Sequence, residues 1–415
     1  MSKTTAHTKS AKHFLLAAKH SEIQGLEHLS ETCELVTRIS QLVHALQKER
    51  GLSNGFLASP ESRFASQRTE QVQDSRLKEQ LLEDFLQQLN LDACQQAGQV
   101  RQFTRLAAVL QELETLPLLR EKIDELALQP EESTFAFTHL VGGLLSIVFE
   151  AADASADPEI TRQLVAMFNF MQGKELAGQE RAWGAWGFAS GHFSEDNQQR
   201  LSHLLEGQQR CFDLFEQFAD TDSRKAWESL LEASVHQELL RLREVVKRSH
   251  GAEGIPSSFS EIWYEVATRR IDTMNAIEGQ LATTLKHLSE CRIRAAKADL
   301  KNHQEVLQHL AQEPTEAPSS FWVEGQMTGV GRSLCELVQT QAQRLQQVQD
   351  QLKEARQALD ERKLIERAKG LLMQYRRLTE DQAHRQLRKT AMEQNRRLVE
   401  VAERVISTVE LLQDR

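Results

Sequence analysis

Helix-breaking residues are scarce in this chain. Its 415 residues include only 7 Pro and 19 Gly, while Gln, Leu, Glu and Ala abound, a balance that favours long helices over sheets. No segment shows the alternating pattern of a half-buried strand. Cysteine is also sparse. Cys33, Cys94, Cys211, Cys291 and Cys335 are odd in number and scattered, with no CxxC pair; this argues against a disulfide framework or a zinc site and for a reducing cytoplasm. The opening run MSKTTAHTKSAKHF lacks the apolar core of a signal peptide. The longest apolar run, Leu140 to Phe149, is half the ~20 residues that a membrane span requires. No nucleotide loop, nucleophile elbow, metal-ligand cluster or carboxylate pair stands out, and the histidines are dispersed. The expectation is a cytoplasmic, all-α protein that is not an enzyme, has no cofactor and has no membrane partner.

What is present is helical periodicity. After a polar stretch expected to fray, Leu35, Val36, Ile39, Leu42, Val43 and Leu46 mark one buried stripe. Asp157-Pro158 reads as a cap followed by proline at the first helical position. Ser258 with Glu261, and Thr379 with Gln382, have capping-box spacing. The run Gln312 to Ser320 is the clearest linker. Beyond it Leu334, Val338, Gln341, Leu345, Val348, Leu352, Ala355 and Leu359 alternate spacings of 4 and 3. That is a coiled-coil seam, weakened at Gln341 and Ala355. Such a helix can form a homodimer, or dock on the preceding domain and transmit a shift.

Two segments echo one another. Gln47 to Ser59 (QKERGLSNGFLAS) and Gly178 to Ser190 (GQERAWGAWGFAS) share Glu-Arg and Ala-Ser at matching places, and Lys122-Ile-Asp124 is echoed by Arg270-Ile-Asp272. Two bundles of similar plan, 30–165 and 166–310, account for this. Arg50 falls on the apolar stripe, 4, 7 and 8 residues beyond Leu46, Val43 and Leu42. Arg270 lies 7, 4 and 3 residues beyond Trp263, Val266 and Ala267. A guanidinium does not lose its proton to escape burial, so each needs an anion. Glu49, Asp272 or Glu278 can supply it, or a small planar oxyanion can, since the parallel N–H groups of the fork match two coplanar oxygens. Gly51, Ser53 and Gly55 either leave room for such a ligand or serve close helix packing.

The last fifty-odd residues differ in charge from the rest. Glu361 to Arg397 holds 11 Lys/Arg against 5 Asp/Glu, a net +6, in a chain of −10, so the remainder carries −16. A small basic module on an acidic body points to nucleic acid under upstream control. Its first helix offers Arg362, Arg367, Lys369, Arg376 and Arg377 to phosphates, its second Arg385, Arg388 and Lys389, and its third begins at Arg396 and Arg397. The small residues Ala368 and Gly370 flank Lys369 and would let a backbone approach. Tyr375 is either a stacking platform or a core residue with a wet hydroxyl. The expected core stripes are Leu364, Ala368, Leu371 and Leu372; then Ala383, Leu387 and Ala391; then Leu398, Val401, Val405 and Val409. Charge alone leaves DNA as good a target as RNA, so an anion-responsive DNA-binding regulator stands as the alternative.

Two resemblances narrow this. The run AKGLLM at 368–373, with Ala383, Leu387-Arg388 and Ala391-Met392 at their spacings, resembles the ANTAR family of RNA-binding antitermination modules. That implies recognition of paired stem-loops in a leader transcript, acting on the elongation complex indirectly. The runs LQKERGLSNGFLAS, GKELAGQERAWGAWGFASGHF and WYEVATRRID resemble the NIT family of nitrate- and nitrite-sensing domains. This implies that Arg50 and Arg270 hold the anion, with Arg269 beside Arg270 as a competitor and Ser53 and Arg181 in supporting roles. The expected organisation is a tail over 1–29, a sensor of two helical bundles over 30–310, a linker over 311–333, a signalling helix over 334–360 and a three-helix RNA-binding domain over 361–415.

Overall fold

The computed structural model describes residues 11–58, 64–89, 97–248, 254–312, 322–323, 326–327, 329–378, 380–394 and 396–413. The helices among them are Ala11–Ala58 (α1), Phe64–Gln88 (α2), Ala97–Leu113 (α3), Leu116–Asp124 (α4), Pro130–Ala154 (α5), Pro158–Ala189 (α6) and Glu195–Phe218 (α7). They continue as Thr221–Glu232 (α8), Ser234–Arg248 (α9), Phe259–Gln312 (α10), Gly329–Arg376 (α11), Glu380–Glu393 (α12) and Leu398–Gln413 (α13). The fold is all-α apart from one antiparallel pair of two-residue strands, Trp322–Val323 (β1) and Gln326–Met327 (β2), within the expected linker. Two units result, Met1–Arg344 and Leu345–Arg415.

In the first unit α6 is the axis. It packs on α5, α7 and α10, while α1 packs on α2, α5 and α10. Asp157 caps α6 by accepting from the N–H groups of Glu159 and Ile160, with Pro158 at the first helical position, as the sequence leads one to expect. Close approach to α6 depends on glycines. A Cβ added at Gly184 would lie 2.2 Å from the Trp263 ring, and one at Gly187 2.1 Å from Phe193. Helix α5 is long and apolar enough to cross a membrane, although the sequence shows only a short unbroken run. Phe137, Val141, Leu144, Ile147, Val148 and Ala151 are all buried, against α1, α3 and α6, so α5 reads as a core helix.

One element differs from the sequence reading. The stretch expected to fray is helical from Ala11, because Lys19 is buried and paired with Asp299 at 2.6 Å, and Ile23 and Leu29 are buried below it. The heptad series and the first helix of the basic module lie on one helix, α11, which runs from Gly329 to Arg376. Of the heptad positions whose side chains are described, Leu352, Ala355 and Leu359 are buried within the single chain. The expected cap at Thr379 lies outside the described residues, as does Cys94, while Cys33, Cys211 and Cys291 are in no disulfide.

Candidate functional sites

Both arginines singled out from their spacing are inside. Arg50 is 1 % exposed and Arg270 3 %. The neighbouring Arg269 is on the surface, paired with Glu238 at 2.8 Å. Arg50 has a carboxylate, but none of the three expected. Its Nη1 donates to Glu175 Oε1 at 2.6 Å and to Thr138 Oγ1 at 2.8 Å, and its Nη2 donates to Glu175 Oε2 at 3.1 Å. This is a two-pronged fork on a planar carboxylate. Glu49 is instead gripped by Arg120 at 2.8 and 2.9 Å, Glu278 is bonded by Lys174 and Ser40, and Asp272 is exposed.

Arg270 is held differently. Its Nη1 reaches only the neutral Gln208 Oε1, at 3.3 Å, and its Nε is buried with no hydrogen-bond partner. Phe212 and Trp227 lie 6.0 Å from it. The nearby Glu180 is claimed by Arg243, at 2.7 and 2.8 Å. Burial, then the Arg243 charge, pulls the Arg270 pKa down to about 10, against the pull of Glu180. Burial would raise the Glu180 carboxyl, but Arg243, helped by Arg270 and Gln208, outweighs it and holds it below its usual range. His236, lowered to about 4 by burial and the Arg270 and Arg243 charges, has a buried Nδ1 without a partner. Arg50 and Arg270 share no hydrogen-bond partner. Thr138 and Glu175 on α5 and α6 hold the first, and Gln208 on α7 holds the second.

Arg181 is also 3 % exposed. Its Nη1 donates to Thr268 Oγ1 at 3.0 Å and its Nη2 to the Gln47 carbonyl at 3.2 Å, and its guanidinium lies 5.0 Å from the Tyr264 ring centroid. No carboxylate among the described residues pairs with it. The space expected at Gly51 is filled by Arg181 and Tyr264, and that at Gly55 by Phe64. Ser53 accepts from Arg68 Nε at 3.1 Å and has no bond to Arg50. Five cations on or against the middle of α6 differ in whether a carboxylate among the described residues is bonded to them. Arg50 takes Glu175, Lys174 takes Glu278 and Arg243 takes Glu180, which leaves Arg181 and Arg270.

The second unit has the reverse arrangement. Ala368, Leu372, Ala383, Leu387, Ala391, Val401, Ala402 and Ile406 form an apolar core, with Leu364, Leu371, Leu398 and Val405 packed on it. Around this core Arg367, Arg376, Arg377, Lys389, Arg396 and Arg397 are exposed, and Arg362, Arg385 and Arg388 are half-buried. Lys369 is the exception, being buried and paired with Glu366 at 2.9 Å. A Cβ at the exposed Gly370 would meet nothing, so the helix surface there is open to a flat approach. Tyr375 is 49 % exposed, close to exposed Met373, which places its ring outside the core. Arg377 ends α11 in the left-handed region, at φ 53°.

The chain matches the family described as nitrate and nitrite sensing (NIT) over residues 41–286. The chain belongs to the NIT family. An ANTAR domain matches residues 353–406, spanning the last part of α11, all of α12 and much of α13. The chain is also 33 % identical over 415 residues to the nitrate regulatory protein of Klebsiella oxytoca, covering 99 % of this chain and 98 % of that one. The solved structure of the NasR transcription antiterminator resembles it with a TM-score of 0.61 at 32 % identity, covering 96 % of this chain and 98 % of the other. The NIT match contains the buried Arg50, Arg181 and Arg270, and the ANTAR match contains the basic surface. The carboxylates and amides that organise those arginines (Glu175, Glu180, Gln208) were not legible as partners in the sequence. Each joins helices far apart in the chain, which periodicity does not report.

Proposed function

We propose that this NIT–ANTAR chain is a nitrate- and nitrite-responsive transcription antiterminator, acting in the cytoplasm on paired hairpins of a leader transcript. The observation that carries the sensor half is Arg270, a buried guanidinium with an idle Nε and one long bond to a neutral amide. A buried charge in that state is strongly disfavoured unless an anion completes it. Nitrate and nitrite carry one charge and present coplanar oxygens to such a fork. Arg50 is the second residue of the proposed anion site; its fork is held by Glu175 in the geometry in which a planar oxyanion would be gripped, so the anion would have to take the place of that carboxylate.

The RNA half rests on the exposed basic residues of the ANTAR segment. These give salt-dependent phosphate contact, while unpaired loop bases, stacked or bonded at their edges, supply sequence choice. Gating follows from the charge asymmetry of +6 on the module against −16 elsewhere, which favours docking of the module until anion binding releases it. The unbroken α11 is the element that would carry the shift. Nitrate must bind the released state better than the docked one, because a ligand with equal affinity for both moves nothing.

The test is a gel shift with a tandem-hairpin leader RNA, with and without millimolar nitrate, using chloride at equal ionic strength as control. Binding that depends on nitrate in the wild type and is lost in Arg270→Gln is the expected result. Equal affinity in both salts overturns the gating. Preference for duplex DNA over the hairpins overturns the RNA reading.

A further inference from the structure

We propose a second oxyanion seat in the sensor, centred on Arg181 where α1, α6 and α10 meet and completed by His44. The inference rests on the sensor reading above and comes from the internal repeat, now visible as geometry. The Glu-Arg pairs of the two echoing segments, Glu49-Arg50 on α1 and Glu180-Arg181 on α6, stand 131 positions apart. Both glutamates are gripped in the same way by an arginine from later in their own half. Arg120 forks Glu49 at 2.8 and 2.9 Å, and Arg243 forks Glu180 at 2.7 and 2.8 Å.

The two arginines begin alike as well. Arg50 Nη1 donates to the hydroxyl of Thr138 on α5, and Arg181 Nη1 donates to the hydroxyl of Thr268 on α10, a register shifted by 130 residues. Each then reaches across to the other's helix. Arg50 Nη2 lies against Gly178, where an added Cβ would approach it to 2.7 Å, and Arg181 Nη2 bonds the carbonyl of Gln47, the repeat counterpart of Gly178. The symmetry fails at one place. Arg50 forks the carboxylate of Glu175, and the position 131 residues before Glu175 is His44. Where the repeat calls for a carboxylate on Arg181, there is a neutral imidazole.

His44 feels the charge of Arg181. Its Nδ1 is buried without a hydrogen-bond partner. Its pKa is held down to about 2 by burial and then by the charges of Lys174, Lys48 and Arg181, with no acidic group offsetting them. The seat therefore combines a guanidinium with no carboxylate among the described residues bonded to it and an idle imidazole nitrogen able to donate in the matching tautomer. A monovalent planar oxyanion takes there the place that Glu175 takes on Arg50, exchanging the Arg181 bonds to Thr268 and the Gln47 carbonyl for its own oxygens and accepting a bond from His44.

The test is calorimetric titration of the full chain with nitrate against a chloride background, comparing wild type, Arg181→Gln, His44→Glu and Arg270→Gln. His44→Glu restores the carboxylate the repeat lacks and should close the seat from within, so it serves even if Arg181→Gln unfolds. The expected result is two nitrates per wild-type chain and one per chain in His44→Glu and in Arg181→Gln. His44→Glu should also show a Tm at least as high as wild type. Arg270→Gln should retain the His44-sensitive nitrate. If His44→Glu and wild type bind equal numbers of nitrate with Kd within about twofold of each other, a difference of about 0.4 kcal/mol or less, the second seat is overturned. Should binding then vanish only in Arg270→Gln, the sensor reading stands without it. No nitrate bound by the wild type overturns both.

Discussion

In the 1–344 unit Arg50, Arg120, Arg181 and Arg270 lie inside, held between helices; in the 345–415 unit most arginines lie outside, on three helices packed around an apolar core. The sensor interior is a polar mosaic in which each guanidinium is held by a fork, an amide or an aromatic face. The basic module has an ordinary hydrophobic centre and a charged skin. An interior of the first kind is sensitive to a single added charge, because a buried ion is strongly destabilising when unpaired and close to neutral when paired. A surface of the second kind responds by many small, salt-screened increments. That suits a sensor joined to a binder: the pairing inside the first unit would change on gaining an anion, while the second would tolerate variation at any one contact.

Removing a carboxylate on each side should break the comparison most visibly. Glu175→Ala leaves Arg50, now 1 % exposed, with Thr138 as its remaining partner. It should lower sensor stability by about 3–5 kcal/mol in denaturant unfolding. Glu361→Ala removes the partner of exposed Arg397, bonded at 2.9 and 3.0 Å, and should change stability by about 0–1 kcal/mol. Equal effects would mean that the interior fork is worth no more than a surface pair.

The next effect is steric. Gly184→Ala must push a Cβ into the Trp263 ring, which is itself pinned by its Nε1 bond to the Arg181 carbonyl at 3.0 Å. A loss of about 1–3 kcal/mol is expected from overpacking. A Tm unchanged from wild type would show that α10 can move away from α6.

How much of this was readable beforehand differs between the units for the same reason. In the basic module the core is local: Ala368, Leu372, Ala383, Leu387, Ala391 and Val401 follow helical spacing and were legible. Only the phase of α13 differed: of the expected Leu398, Val401, Val405 and Val409, Val401 is buried, Leu398 and Val405 are partly buried and Val409 is outside the core, while Ala402 and Ile406 are buried instead. In the sensor, spacing put Arg50 and Arg270 inside, because burial follows the stripe. It did not reveal that Glu175 would hold one and Gln208 the other, nor that Lys19 would tie the start of α1 to Asp299. Those pairings depend on which helices meet. The repeat was legible as letters, but its break at His44 has meaning only once α1 and α6 are seen to exchange contacts.

A smaller effect follows from pH. The folded chain refuses a proton at His44 until about pH 2, whereas an unfolded imidazole takes one near 6.5. Above that value both states hold a neutral ring and the contribution is fully present. Below it the unfolded state binds the additional proton, so stability falls as pH is lowered toward the folded value. His44→Gln should flatten the fall in Tm between about pH 6 and pH 4, and an unaltered profile would assign that fall to other groups, His236 first among them.

Gly370→Ala should be the mildest change and the most discriminating between stability and function in the basic module. The position is exposed in the middle of a helix, and an added methyl would meet nothing within 4 Å. Replacing a flexible residue there should stabilise the module by about 0.5–1 kcal/mol, through helix propensity and a less free unfolded chain. If the bare backbone serves close approach by RNA beside Lys369 and Arg367, the same methyl stands between them and the phosphates. Hairpin affinity should then fall while Tm rises. The opposite signs exclude a folding defect as the cause, and a rise in Tm with unchanged RNA affinity would remove Gly370 from the RNA-binding surface.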